Sequence, residues 1–218
     1  MKKILIAAGM TCAALSPALA ADPYIEIPQE LAPAYSWTGG YIGLQAGYGW
    51  GQVDRLTIAG FANSYDANGF LVGAHGGFNQ QWGSFVLGIE GDIEWSDMNG
   101  DDAGVGGTLD VVDIEWMASV RARAGFAINR TLIYATGGVA FADITQSNID
   151  GIPISFSETY TGWTAGAGLE YAFTDNFTGR VEYRYTDFGS QDYLPVGIDP
   201  FSDDITMHAV RIGMTYKF

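Results

Sequence analysis

The chain has 218 residues, with 25 acidic against 10 basic side chains and a formal net charge of −15. Such acidity excludes a nucleic-acid binder, which needs a basic surface against phosphate, and 12 Tyr, 12 Phe and 6 Trp exclude a disordered acidic tail. Thirty glycines without a three-residue repeat exclude collagen, and past residue 20 no apolar run reaches transmembrane-helix length.

In chain order, Lys2 and Lys3, an apolar run from Ile4 to Leu15 and the small-x-small pattern Ala18-Leu19-Ala20 read as a signal peptide over 1–20, cut after Ala20. Cys12, the single cysteine, falls inside it, so the exported chain has no disulfide and no cysteine metal site. Without Lys2 and Lys3, eight basic residues face 25 acidic ones, a net charge of −17. Residues 21–36 carry Pro23, Pro28 and Pro33 without periodicity and read as an extended periplasmic linker.

From Trp37 onward, segments with a period of two recur, the pattern of strands with unlike faces. The first sets Ile42, Leu44, Ala46, Tyr48 and Trp50 against Tyr41, Gly43, Gln45, Gly47 and Gly49. The second sets Phe70, Val72, Ala74 and Phe78 against Leu71, Gly73, His75 and Asn79. The third sets Phe85, Leu87, Ile89, Ile93 and Trp95 against Val86, Glu90, Asp92 and Glu94. The fourth sets Ile114, Trp116, Ala118, Val120, Ala122 and Phe126 against Glu115, Met117, Ser119, Arg121 and Arg123. The fifth, Leu132 to Ile144, fits either phase. The sixth has Trp163, Leu169, Tyr171 and Phe173 opposite Thr164, Gly166 and Glu170; the seventh has Val181, Tyr183 and Tyr185 opposite Arg180, Glu182 and Arg184. The eighth runs to the end, with Val210, Ile212, Met214, Tyr216 and Phe218 on one face and Arg211, Thr215 and Lys217 on the other.

The segment centres are separated alternately by about 30 and about 16 residues, with turn-like short connections and long ones that hold most of the Asp. That alternation predicts an all-β fold: an eight-stranded antiparallel up-and-down transmembrane barrel over 37–218, with short periplasmic turns and four long acidic extracellular loops. The apolar face then meets lipid, and closure leaves no sheet edge that lipid would fail to hydrogen-bond. Tyr48, Trp50, Trp95, Trp116 and Trp163 fall in the outer aromatic girdle, and Phe78, Phe85, Phe126, Tyr171, Phe173 and Phe218 in the inner one.

The stretches "SWTGGYIGLQAGYGWG", "FVLGIEGDIEW", "YATGGVAFADI" and "HAVRIGMTYKF" resemble the outer-membrane β-barrel domain family, in particular the small surface-antigen barrels of Gram-negative bacteria. The resemblance covers Trp37 to Phe218 and implies a cell outer-membrane location. It also implies that the terminal Tyr216 and Phe218 belong to the signal read by the barrel-assembly machinery. Family members are variously structural proteins, surface antigens, adhesins and narrow porins, so the implied partners are outer-membrane lipid, lipopolysaccharide and host or surface ligands.

The face opposite the lipid carries Glu90, Asp92, Glu94, Glu115, Glu170 and Glu182 against Arg121, Arg123, Arg180, Arg184, Arg211 and Lys217. An eight-stranded interior is just wide enough for side chains to fill, so these twelve read as a lumen ion-pair network, each charge held by neighbours on adjacent strands. The alternative is a selectivity lining in a narrow pore. The "DMNGD" run from Asp97 has only the opening of a calcium loop, with Asp102 in place of the Gly and Thr108 in place of the closing Glu. Asp97, Asp101, Asp102, Asp203 and Asp204 would instead share divalent ions with lipopolysaccharide phosphates. For lipid chemistry a His beside a Ser and a carboxylate is needed. His75 sits at mid-strand on the inward face, His208 faces lipid, and neither has a Ser two residues away; the alternative is His75 with Ser119 of the fourth segment across the lumen, and His75 reads as a lumen histidine bonded to a carboxylate. The expectation is a non-enzymatic surface anchor without cofactor or metal.

Overall fold

The computed structural model describes residues 35–57, 62–103, 109–149, 152–193 and 201–218. The signal peptide and most of the linker expected before residue 37 lie outside the described residues. Eight strands follow in order: β1 (Gly39–Thr57), β2 (Ala62–Trp82), β3 (Phe85–Ala103), β4 (Leu109–Ile128), β5 (Thr131–Ile149), β6 (Ile152–Ala172), β7 (Phe177–Tyr193) and β8 (Phe201–Lys217). Each pairs antiparallel with its neighbours in sequence, and β8 returns to β1 from Tyr41↔Lys217 to Thr57↔Phe201, closing the barrel.

Three tight turns join β2–β3, β4–β5 and β6–β7. Gly83 (φ +60°) and Asn129 (φ 54°) supply the left-handed residue that the first two require. In the third, the Thr174 hydroxyl accepts the Phe177 amide at 2.9 Å. The long connections expected on the other side are mostly strand: Leu56 pairs with Ala62, Ala103 with Leu109, and Tyr193 with Phe201. The Asp-rich segments are therefore chiefly hairpins of the same strands. The span from girdle to girdle, both ends included, is eleven residues from Phe85 to Trp95 on β3 and eleven from Trp163 on β6 to Phe173 just past its end. That matches the ~9–11 tilted residues that cross the hydrocarbon; the remainder of each strand rises beyond it.

Side chains alternate in and out along every wall. Leu44, Phe70, Ile89, Val120, Leu169 and Ile212 stand exposed outward, as do the expected girdle residues, with Phe218 73% exposed. The ambiguous β5 settles with Ile133, Ala135 and Val139 outward and Leu132, Tyr134 and Thr136 inward.

Near the outer girdle on β4 the phase differs from that expected. Between Trp95 and Met98 on β3, and between Ile114 and Trp116 on β4, the register shifts. The additional residue on β4 leaves Glu115 and Trp116 both exposed and turns Ile114 inward to 4% exposure. Glu115, expected in the lumen, therefore faces out, and Ile114, expected in lipid, faces in. Strict alternation cannot register an inserted residue, because every side chain beyond it changes face.

Candidate functional site: a layered lumen

The lumen is packed in three layers. At the end bearing Phe218 and the tight turns, Trp37 lies across the mouth at 1% exposure, packed with Val86, Ala127, Leu132, Tyr134 and Ala172. Residues 35–38, expected at the junction of linker and first strand, form a cap beneath the barrel. The Trp37 amide donates to Gln81 Oε1 at 2.7 Å, and the Gln81 amide donates to the Thr38 hydroxyl at 3.0 Å. Tyr35 meets Trp37 edge to face with ring centroids 4.9 Å apart. Arg130 and Lys217 flank the Tyr35 ring at 5.4 and 4.8 Å. Burial pushes the Tyr35 phenol up to about 12, with Glu170 adding to the effect and Arg130 opposing it. Lys217, expected in the ion network, sits at this rim instead, donating to the Ser36 carbonyl at 2.5 Å. Its place at the strand end puts the ammonium below the lumen.

The middle layer holds ten of the twelve expected charges: Glu90, Asp92, Glu94, Glu170 and Glu182 with Arg121, Arg123, Arg180, Arg184 and Arg211, none more than 8% exposed. Five carboxylates face five guanidiniums, and every one is joined to the rest. Arg121 reaches Glu90 at 2.5 Å, Asp92 at 2.9 Å and Glu182 at 2.9 Å. Arg180 meets Glu90 at 2.6 Å. Arg184 meets Glu182 at 2.8 Å and Asp92 at 3.2 Å, and Arg211 holds Glu94 through Nη2 at 2.8 Å and Nε at 2.9 Å. Arg123 bonds Glu170 and stacks on the Tyr134 ring at 3.8 Å.

Neighbouring-strand pairing accounts for only part of this. Arg180 on β7 and Arg211 on β8 both reach across to β3, and Arg121 on β4 reaches Glu182 on β7. An arginine stem is long enough to cross so narrow a lumen, which makes the layer a set of ties between opposite walls. The spare valences are filled by neutral groups. Tyr41 donates to Glu90 at 2.8 Å, Gln45 to Glu94 at 2.9 Å, Tyr134 to Glu182 at 3.0 Å and Ser119 to Asp92 at 2.7 Å. These partners are what a buried charge requires, since desolvation otherwise exceeds the Coulombic gain. Glycines give the arginines room: a Cβ on Gly138 would lie 2.6 Å from the Arg121 Cα, and one on Gly47 would meet the Arg211 stem at 2.9 Å. His75 bonds the Thr215 hydroxyl at 2.9 Å rather than the expected carboxylate; the nearby acids are already taken by arginines.

The third layer lies at and above the outer girdle. Leu71, Met98, Ile114, Met117, Tyr160, Phe188, Ile205 and Met207 pack inside the barrel, all buried. Sequence reasoning missed this apolar plug, although Leu71 and Met117 already stood on the inward phase. A cavity between it and the ionic layer, lined by Asp92, Ser119, Arg184, Phe188 and Arg211, has a volume of about 10 Å³, at the limit for one water.

Ser119 is committed to Asp92 and His75 to Thr215, so the two form no nucleophile–base pair. No group of three or more His, Cys, Asp or Glu suited to a metal occurs among the described residues. Asp97 is exposed, and the side chains of Asp101, Asp102, Asp203 and Asp204 lie outside those described.

The chain matches the "Outer membrane protein beta-barrel domain" family over residues 5–218. It is 36% identical over 223 aligned residues to the 25 kDa outer-membrane immunogenic protein of Brucella abortus biovar 1 (strain 9-941), covering 100% of this chain and 99% of that protein. It is 36% identical over 186 residues to the 22 kDa outer membrane protein of Rhizobium leguminosarum bv. viciae, covering 85% and 80%. Among solved structures, the outer membrane protein OprG of Pseudomonas aeruginosa shares the fold, with a TM-score of 0.58 at 12% identity over 85% of this chain and 99% of that one. The closed barrel, the aromatic girdles and these similarities agree, and the chain belongs to the outer-membrane β-barrel domain family, as a non-enzymatic barrel of the outer membrane.

Proposed function

We propose that the protein is a sealed anchor that holds its long acidic hairpins outside the cell, contributing to envelope integrity and presenting a surface to antibodies or host molecules. The observation that carries this reading is the filled lumen: a Trp37 cap, a neutral ten-charge layer and an apolar plug stand in series along the axis. Nothing so packed is suited to passing solutes, so the narrow-pore alternative has no supporting cavity among the described residues. The immunogenic relatives fit a surface role. In the same reading, residues 1–20 are removed on export, 21–36 form the periplasmic approach to the barrel, and Tyr216 and Phe218 serve barrel assembly. The Asp-rich hairpins share divalent ions with lipopolysaccharide.

The rule that short turns are periplasmic fixes the orientation, and epitope insertion tests it. A tag placed between Ile58 and Phe61 should bind antibody on intact cells, whereas the same tag at Asp175 should do so only after the outer membrane is permeabilised. The reverse pattern would overturn the surface reading.

A further inference from the structure

The outward face of β8 is apolar through Tyr216, Met214, Ile212 and Val210, and then places His208 at the level of the outer girdle. A polar ring on a lipid-facing wall loses hydration and needs partners. His208 stands opposite Trp50 on β1 and opposite Tyr185 on β7. Its ring lies nearly parallel to that of Trp50, with centroids 6.0 Å apart and 14° between the planes. Tyr185 follows at 5.1 Å, and Trp163 on β6 lies 5.2 Å beyond Tyr185. The four rings form an unbroken band across β1, β8, β7 and β6. The Tyr183 hydroxyl meets His208 Nδ1 at 2.6 Å, which leaves Nε2 as the ring nitrogen turned to whatever lies against the wall.

Charge singles out this sector of the girdle. Among the described side chains, His208 is the only one on the outward wall that can carry a positive charge. Five arginines fill the lumen, and Arg130 and Lys217 sit at the opposite rim. The acid nearest to it, Asp187 on β7, is occupied: Oδ1 accepts the Gly189 amide at 2.8 Å and Oδ2 accepts the Tyr185 hydroxyl at 3.4 Å. The β3–β4 sector of the same girdle has the opposite character. There Trp95 and Trp116 stand beside Asp97 and Glu115, both exposed at the register shift. An anionic headgroup at this depth is repelled by the β3–β4 carboxylates and finds a hydrogen-bond donor on β8.

We propose that the band of Trp50, His208, Tyr185 and Trp163 binds the phosphorylated sugar headgroup of an outer-leaflet glycolipid. His208 Nε2 meets a phosphate oxygen, and the indole and phenol rings lie against the apolar C–H faces of the sugars. Trp and Tyr occupy headgroup depth in any girdle, since each ring has an apolar body and a polar tip. The histidine adds what a plain girdle lacks, a group able to hold an anion. This contact is direct and needs no divalent ion, unlike the one assigned to the hairpins. It rests on the surface reading above, which puts this girdle in the outer leaflet. The two fail separately, because orientation is read on intact cells and binding on purified protein.

The test uses the full chain folded in zwitterionic micelles without divalent ions, with NMR of the histidine rings and of the Tyr185 amide as the readout. The chain has two histidines, and His75, buried in the lumen at 2% exposure, is the internal control. The probes are lipid A, dephosphorylated lipid A and phosphatidylglycerol, which has a phosphate but no sugar. Lipid A should shift the His208 and Tyr185 resonances to saturation and leave His75 in place. Dephosphorylated lipid A, or lipid A with the His208→Gln variant read at Tyr185, should need at least about tenfold more lipid for half-saturation. Phosphatidylglycerol with the unaltered protein, or lipid A with Trp50→Leu, should need about threefold more or beyond. No saturable shift at His208, equal half-saturation by the three lipids, or unchanged lipid A binding by His208→Gln would each overturn the proposal.

Discussion

Replacing Arg121 with Met probes the ionic layer where it is most connected. The guanidinium touches three carboxylates at 2.5, 2.9 and 2.9 Å, and all four side chains are 0–1% exposed. After the change Glu90 keeps Arg180 at 2.6 Å, Glu182 keeps Arg184 at 2.8 Å and Asp92 keeps Arg184 at 3.2 Å, so no carboxylate is orphaned. The layer nonetheless carries five acids against four bases in a dry site. An uncompensated buried charge costs about 3–5 kcal/mol, or roughly two to four decades in the folding equilibrium. The assay is urea unfolding and refolding in detergent or lipid vesicles, followed by tryptophan fluorescence. Adding Glu182→Gln restores the balance, so the double variant should lose less than the sum of the singles, by about 0.5–3 kcal/mol. A loss under about 1 kcal/mol with additive singles would mean that water reaches these groups and that the lumen is not sealed.

The remaining predictions concern the other surfaces. Leu169→Arg puts a charge on the lipid-facing wall, where it should cost about 2–4 kcal/mol in the same unfolding assay, whereas Ser84→Arg in the exposed β2–β3 turn should cost little; equal costs would refute the face assignment. Trp37→Ala should cost about 3–5 kcal/mol and speed amide exchange around Gln81 and Leu132, and unchanged exchange would show that residues 35–38 do not cap the mouth. Deleting Phe218 removes the amide that donates to the Gly40 carbonyl at 3.0 Å and should impair membrane insertion in cells while leaving refolding in detergent possible. Normal surface levels of the deletion would defeat its role in assembly.

The wall of the barrel was legible because period two is a strong signal wherever one face meets lipid and the other does not. Alternating spacing gave the strand number and the end at which the long connections lie. What alternation could not supply was anything that interrupts it. Glu115 was misplaced by a single inserted residue, and the length of the hairpins was hidden because Asp-rich sequence reads as loop. The charged layer could be read as inward and paired, but its partners were sought on adjacent strands, whereas Arg180 and Arg211 find theirs across the lumen. Trp37 gave no periodic signal because its role is set by a mouth that exists only after closure. The apolar plug was visible in Leu71 and Met117, but only as isolated exceptions on an otherwise polar face.

Ion conductance of the purified full chain in planar lipid bilayers tests the sealed lumen most directly. With the cap, the ionic layer and the apolar plug in series, the protein should insert without producing steady conductance. Stable, long-lived open channels in the unaltered protein would contradict the sealed anchor and put the narrow pore in its place.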